Sequence, residues 1–238
     1  MGSEMCIRDR FTQATIGQEV VEETDSSITI KDLLNPAEMP FERSIRRMYT
    51  IARSMHRDAI SMLRNRNKML AEDISHRDND VDKLYWLIAR QHNMVAMNVN
   101  LARKMGVSAE GVVNYFLISR IIERIADHAV RIARNIANLV NEKVDRKIIT
   151  AIESASALAL EIFDESIKAF LKGDIRLADS NIESLTKLAS LCEKIIRLAL
   201  RERSAIAVSI GYITESIRRT GEYAADISEC VINHLIGK

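Results

Sequence analysis

Apolar positions recur every three or four residues along most of the chain, the spacing that one face of an α-helix requires. This period predicts six helices after residue 40, several of them near thirty residues long. Their predicted bounds are 41–66, 68–103, 109–141, 145–171, 175–203 and 205–236, with a break in the second at the charged stretch 76–79. Ahead of them, alternating β-branched residues predict two short strands, 16–22 and 27–31, joined by a polar turn at 24–26.

The positions of proline and glycine support a helical domain. Both prolines, Pro36 and Pro40, precede the first predicted helix, and glycine is sparse after it. A sheet-rich domain would need turn residues about every ten positions, so an all-β fold is excluded. Gly106 and Gly173 are interpreted as loop residues, whereas Asp174 and Ser204 are predicted to cap helices. The predicted fold class is all-α with a short N-terminal β-hairpin.

The chain also contains a weak internal repeat. The segment ERIADHAVRIA at 123–133 aligns without gaps with RRTGEYAADIS at 218–228. In this alignment Asp127 meets Glu222 and His128 meets Tyr223. The predicted domains are therefore a three-helix repeat at 41–141 and a second at 144–238, preceded by a hairpin and linker at 11–35. Residues 1–10 do not match the rest and are interpreted as an artefact or a disordered segment.

Bulk composition narrows the function. The formal net charge is +1, which argues against non-specific nucleic-acid binding because that task needs a basic excess. The apolar stretches are short and broken by charges, so no membrane-spanning helix is expected. Three cysteines without metal-type spacing favour a reducing cytosol, and no glycine-rich phosphate loop is present.

Glu123 and Asp127 are four residues apart, which places both carboxylates on one helical face. Two carboxylates on one face repel each other unless a positive charge lies between them. A hard cation would supply that charge. Neighbouring arginines would supply it equally well, and Asp127 and Arg131 have the spacing of an ion pair. The residues alone therefore leave a metal site and a salt-bridged face both open.

The segment ERIADHAVRIA closely resembles the signature of the PhoU family of phosphate-transport regulators, with an archaeal-like character. The resemblance covers about residues 41–236. It implies two pseudo-repeated three-helix bundles and multinuclear clusters of iron or zinc bound through acidic motifs. It further implies a non-enzymatic, cytoplasmic and often dimeric protein, peripheral to the inner face of the membrane. Such a protein restrains phosphate uptake by contacting the phosphate transporter and a signalling protein, a sensor kinase in bacteria.

The family's metal-binding motif carries over unevenly to this chain. Glu123 and Asp127 match the first motif. In the second motif, Arg218 occupies the position of the Glu and Glu222 occupies the position of the Asp. Because Glu222, Asp226 and Glu229 still form an acidic stripe, a shifted second site remains open. The residues implied as metal ligands are Glu123, Asp127, Glu222 and Asp226.

The residues argue against an enzymatic function and leave two alternatives to this resemblance. A di-iron carboxylate enzyme needs two Glu-x-x-His motifs, and the chain has none. The alternatives that remain are a metal-free helical interaction bundle and a transcriptional regulator linked to a truncated N-terminal DNA-binding module. This fragment itself is not expected to bind nucleic acid. The many arginines of the first helix are interpreted as a solvated face rather than a docking surface. Trp86 and the ten methionines are expected to lie in the core.

Overall fold

The computed structural model describes residues 15–23, 28–32, 35 and 38–236. Two antiparallel strands, β1 (Gln18–Glu23) and β2 (Ile28–Asp32), pair Val20 with Ile30 and confirm the predicted hairpin. The predicted turn at 24–26 and the segment 1–10 lie outside the described residues.

Helices make up nearly all of the rest of the described chain, which confirms the all-α class. Their bounds are α1 Phe41–Asn65, α2 Met69–Met97, α3 Val99–Lys104, α4 Ala109–Leu139, α5 Arg146–Lys172, α6 Ile175–Ala199 and α7 Ser204–Ile236. None of these helices combines the length and the apolar character that crossing a membrane requires.

The predicted break at 76–79 is wrong, because α2 runs through it without interruption. Arg77 explains the continuity: its guanidinium pairs with Asp73 one turn earlier at 2.7 Å and with Asp58 of α1 at 2.9 Å. The charged stretch is therefore part of a continuous helix, and the pairing of Arg77 outweighs the weak helix propensity of its neighbours. The chain breaks instead at Asn98, whose side chain accepts a hydrogen bond from the Asn100 backbone N–H and caps α3.

The predicted helix signals before α6 are confirmed. Gly173 ends α5 in the left-handed conformation, with φ of 64°, and Asp174 accepts a hydrogen bond from the Leu177 backbone N–H. Gly106 is also left-handed, with φ of 67°, between α3 and α4. Helix α6 ends at Ala199, four residues earlier than predicted, and Ser204 begins α7.

The packing divides the chain into two compact units. The first combines the residues up to Met48 with 79–119, and the second combines 49–78 with 120–238. Helices α1, α2 and α4 each contribute residues to both units. This division by packing is distinct from the sequence repeats, whose bounds of 41–141 and 144–238 stay a prediction.

In the first unit, the ring of Phe41 stacks on Tyr115 with centroids 5.3 Å apart, and Gln91 donates a hydrogen bond to the Met39 carbonyl at 2.7 Å. The hairpin is attached to α2 because Arg90 donates to the Ile16 carbonyl. Trp86 is 50% exposed and Met97 is 88% exposed, so the prediction that Trp86 and all the methionines fill the core is wrong. Met48 is fully buried, as predicted.

In the second unit, α5, α6 and α7 pack against one another and bury a continuous apolar core. Phe163 is fully buried there, and its ring packs edge to face with that of Tyr49, with the centroids 5.1 Å apart. The Tyr49 hydroxyl and the Arg53 guanidinium both donate to Asp164, at 2.8 and 2.7 Å. These bonds join α1 to α5, so Arg53 is a structural residue of this unit.

Candidate functional site

The α4 motif, residues 123–133, presents its two predicted ligands on the surface of the second unit. Glu123 is half-buried and Asp127 is exposed. Partial burial raises the pKa of Asp127, and the charge of Arg134 lowers it by a smaller amount. The predicted ion pair from Asp127 to Arg131 does not form among the described residues, because the Arg131 guanidinium lies over the ring of Tyr212 at 4.9 Å.

The α7 motif, residues 218–228, has a different surface. Glu215, Arg218, Arg219 and Glu222 form a closed set of ion pairs that we name the α7 charge lattice. Arg218 donates to Glu215 and to Glu222, both at 2.8 Å, and Arg219 donates to Glu215 at 3.1 Å and to Glu222 at 3.0 Å. The predicted ligand Glu222 is therefore held by two guanidinium groups.

The electrostatics of Glu215 follow from this arrangement. Burial alone would raise the pKa of its carboxyl, but hydrogen bonds and charge from Arg218 and Arg219 outweigh burial and lower it. The same bond to Glu215 raises the pKa of Arg218. Both shifts favour the charged forms of Glu215 and Arg218.

Asp226, the fourth predicted ligand, lies one turn beyond the lattice. Burial raises the pKa of its carboxyl most, and the negative charges of Glu229 and Glu222 raise it further. Arg124 of the α4 motif offsets part of this effect. Asp226 thus lies within the electrostatic reach of both motifs.

The fold brings the two motifs together at aligned positions. The rings of His128 and Tyr223, which occupy the same place in the repeat, lie 5.7 Å apart. The Arg124 guanidinium lies over the same tyrosine ring, also at 5.7 Å. Desolvation, reinforced by Arg131 and Arg219, lowers the pKa of His128 to about 4. A neutral imidazole and a phenol ring therefore form the contact.

The described side chains do not fit a multinuclear metal cluster. Within the part of the chain that the structure describes, no three His, Cys, Asp or Glu side chains converge as ligands for one ion. Glu123 and Asp127 could supply two oxygens to a hard cation. The oxygens of Glu222 are already bonded to arginine.

Sequence reasoning missed a buried polar network beneath the α7 motif. His56 of α1 is fully buried, with its Nε2 atom 2.9 Å from the Ser156 hydroxyl and its Nδ1 atom 3.4 Å from the Thr220 hydroxyl. The Thr220 hydroxyl donates its one hydrogen to the Ser216 carbonyl at 3.0 Å, so it accepts a hydrogen bond from the Nδ1–H of His56. The Nε2 atom of the neutral imidazole is then the acceptor, and the Ser156 hydroxyl donates to it. Burial, with a smaller effect of His128, lowers the pKa of His56 to about 4.

Several arginines of α1 form ion pairs within their own units. This agrees with the interpretation of α1 as a solvated helix face. Arg46 pairs with Glu42 at 2.7 Å, and Arg64 pairs with Glu153 of α5. Together with the bond from Arg53 to Asp164, these pairs leave α1 without a continuous row of available cations.

The match to a family model covers residues 45–136, which correspond to the PhoU domain. The chain is 24% identical over 198 residues to the phosphate-specific transport system accessory protein PhoU homolog 1 of Thermotoga maritima, covering 80% of this chain and 83% of that protein. It is 22% identical over 203 residues to the PhoU homolog of Clostridium acetobutylicum, covering 81% and 89%.

Two solved structures have a similar fold. PhoU from Pseudomonas aeruginosa superposes with a TM-score of 0.73 at 18% identity, covering 83% of this chain and 96% of that one. The phosphate transport system regulatory protein PhoU from Streptococcus pneumoniae gives 0.71 at 16% identity, covering 83% and 94%. The source organisms do not bear out the expected archaeal character. Residues 45–136 therefore match the PhoU domain and the chain has the PhoU fold, which confirms the resemblance that its α4 motif suggested.

Proposed function

We propose that this chain is a non-enzymatic regulator of phosphate uptake and phosphate homeostasis that acts by contact with the phosphate-transport machinery. The observation that carries the proposal is the PhoU domain at 45–136, which contains the whole α4 motif. Proteins similar to this chain over four fifths of its length are named phosphate-specific transport system accessory proteins. In this proposal the chain is cytoplasmic, acts negatively on uptake at the inner face of the membrane, and contacts a transporter component and a signalling protein.

The test uses a host strain that lacks its own PhoU protein but keeps its phosphate transporter. Expression of the chain should lower the uptake of labelled phosphate and the output of a phosphate-starvation reporter. Unchanged uptake and reporter output at a matched expression level would contradict the proposal. A pull-down of transporter components from the same cells reports on direct contact.

The contact surface can be probed at the exposed apolar residues of α7. Val208 is 57% exposed and Tyr212 is 45% exposed, so neither contributes much to the core. Val208→Glu/Tyr212→Glu should weaken the effect on uptake while the chain stays folded. The matched control, Ser180→Glu/Ser190→Glu, adds the same charge at exposed positions of α6 and should behave as the unmodified chain.

The metal site is proposed at the α4 motif, where Glu123 and Asp127 share one helical face. Iron and zinc content of purified protein should fall in Glu123→Gln/Asp127→Asn. The control Glu161→Gln/Glu165→Gln removes an equally spaced carboxylate pair from α5. Equal metal content in all three proteins would remove the metal claim and leave the regulatory proposal standing.

A homodimer is also proposed and is tested separately. Sedimentation of the purified chain should give twice the monomer mass of 26.9 kDa. A single species at the monomer mass, at micromolar concentration, would contradict it.

The alternative of a metal-free interaction bundle is favoured by one observation, the α7 charge lattice. Ion pairs there satisfy the carboxylates without a cation from solution. This alternative expects a melting temperature that a chelator leaves unchanged. The link to a truncated DNA-binding module stays a prediction that this structure does not address.

A further inference from the structure

The α7 charge lattice has a property that an ordinary surface ion pair lacks. All four carboxylate oxygens of Glu215 and Glu222 accept hydrogen bonds from guanidinium groups. Arg218 binds both oxygens of Glu215 and one of Glu222, and Arg219 binds the remaining oxygen of Glu222 together with one of Glu215. Neither glutamate therefore presents an oxygen without a donor.

We infer that Arg218 and Arg219 occupy the place of a metal ion in the α7 motif, so that the carboxylates of Glu215 and Glu222 bind no metal. A hard cation binds through carboxylate oxygens, and here those oxygens already accept six hydrogen bonds, four at Glu215 and two at Glu222. It would also lie beside two guanidinium groups that repel it, because arginine does not lose its proton in proteins.

The α4 motif shows which substitution makes the difference. Glu123 stands where α7 has Arg218, so α4 has a carboxylate where α7 has an internal cation. Arg124 stands where α7 has Arg219, yet its guanidinium lies over Tyr223. At these two aligned positions α4 therefore has one carboxylate and one arginine, whereas α7 has two arginines that pair with glutamates.

This inference does not depend on the proposed role in phosphate uptake. Its consequence is that the charge of the α7 charge lattice does not respond to metal supply, because the side chains of the lattice neutralise one another. A partner that recognises α7 would bind equally well in metal-replete and metal-depleted solution.

The first test measures metal binding by equilibrium dialysis of the full chain against zinc, iron(II) and manganese(II). Glu215→Gln/Glu222→Gln should bind the same amount of each metal as the unmodified chain. A lower amount in this variant would overturn the inference. If neither protein binds metal, the inference about α7 holds and the metal proposal for α4 fails, so the two results are distinguishable.

The second test asks whether the arginines are the cause. Arg218→Gln/Arg219→Gln should bind an additional equivalent of manganese and melt at a higher temperature with manganese than without it. This gain should disappear when Glu222→Gln is added to the same protein. The matched control Arg197→Gln/Arg201→Gln removes two exposed arginines near the end of α6 and should gain no metal. If circular dichroism shows that Arg218→Gln/Arg219→Gln is folded and this variant still binds no additional metal, the arginines are not what excludes the metal.

Discussion

The α4 and α7 motifs occupy the same register of a repeat, yet they differ on both faces of their helices. On the outer face, α4 carries Glu123 where α7 carries Arg218, and Arg218 belongs to the α7 charge lattice. On the inner face, Ile125 of α4 is fully buried in apolar surroundings, whereas the aligned Thr220 bonds to His56. The two aligned segments are therefore both helical, yet each has its own polar chemistry.

The largest expected effect concerns the buried network that only α7 has. The pKa of His56 is about 4 in the folded chain against an ordinary 6.5, so the unfolded chain binds a proton that the folded chain excludes. The stability this provides is complete above pH 6.5 and is lost as the pH falls towards 4. The contribution of His56 to the free energy of unfolding is about 3 kcal/mol at most.

The variant that tests this is His56→Gln, whose amide can still accept from Ser156 and donate to Thr220 without titrating. Urea unfolding at several pH values should show that the variant loses less stability than the unmodified chain between pH 6.5 and 4. Parallel pH profiles of the two proteins would show that His56 is not the group responsible.

The next effect concerns an aligned position that holds a small residue in both motifs, Ala126 in α4 and Gly221 in α7. A Cβ at Gly221 would lie 2.1 Å from a methyl of Leu188, which is itself buried. Gly221→Ala should therefore destabilise the chain by about 1–3 kcal/mol through overpacking. The control is Gly211→Ala on the same helix, where a Cβ meets nothing within 4 Å. That change should stabilise by about 0.5–1 kcal/mol, and equal effects of both changes would refute the packing argument.

A smaller effect concerns another hydroxyl of α7 that has no counterpart in α4. The Asn181 amide donates to the Ile162 carbonyl at 2.8 Å and to the Ser228 hydroxyl at 3.1 Å, whereas α4 has Ala133 in the position of Ser228. Ser228→Ala leaves one buried amide hydrogen without its acceptor and should cost about 1 kcal/mol. Thermal unfolding measures this cost. The same loss in an Asn181→Ala background would show that the two side chains are not coupled.

The smallest effect concerns the lattice itself. Its members are roughly two-fifths exposed, so solvent screens each pair and Arg218→Gln should cost only about 1 kcal/mol. Arg197→Gln breaks an isolated exposed pair with Glu193 and should cost less than about 0.5 kcal/mol. The difference between the two variants should shrink in high salt, because exposed charges are screened there. Equal costs at low salt would mean that the lattice acts as separate pairs.

Much of the fold could be predicted because the signals for helices are local. The period of apolar residues located the long helices, and Gly173 with Asp174 marked the α5–α6 boundary correctly. The predicted break in α2 failed because Arg77 is paired by Asp58, which is distant in sequence. Charge alone could not distinguish a loop from the outer face of a helix.

The candidate site was predicted less well. The spacing of Arg218 and Glu222 already indicates a possible ion pair within one helix. It does not show that Arg219 and Glu215 close the set, because that depends on which side-chain conformers the neighbouring helices permit. His56 gave no signal at all, since its partners Ser156 and Thr220 lie on helices far along the chain.

The sequence by itself determined the helical class, the hairpin and the resemblance to the PhoU family. These features depend on periodicity, turn residues and one motif, all of which act over a few residues. Only the tertiary structure decided that His128 meets Tyr223, that His56 is buried neutral, and which of the predicted ligands are neutralised. Burial and charge neighbours set these properties, and both come from helices that are brought together by folding.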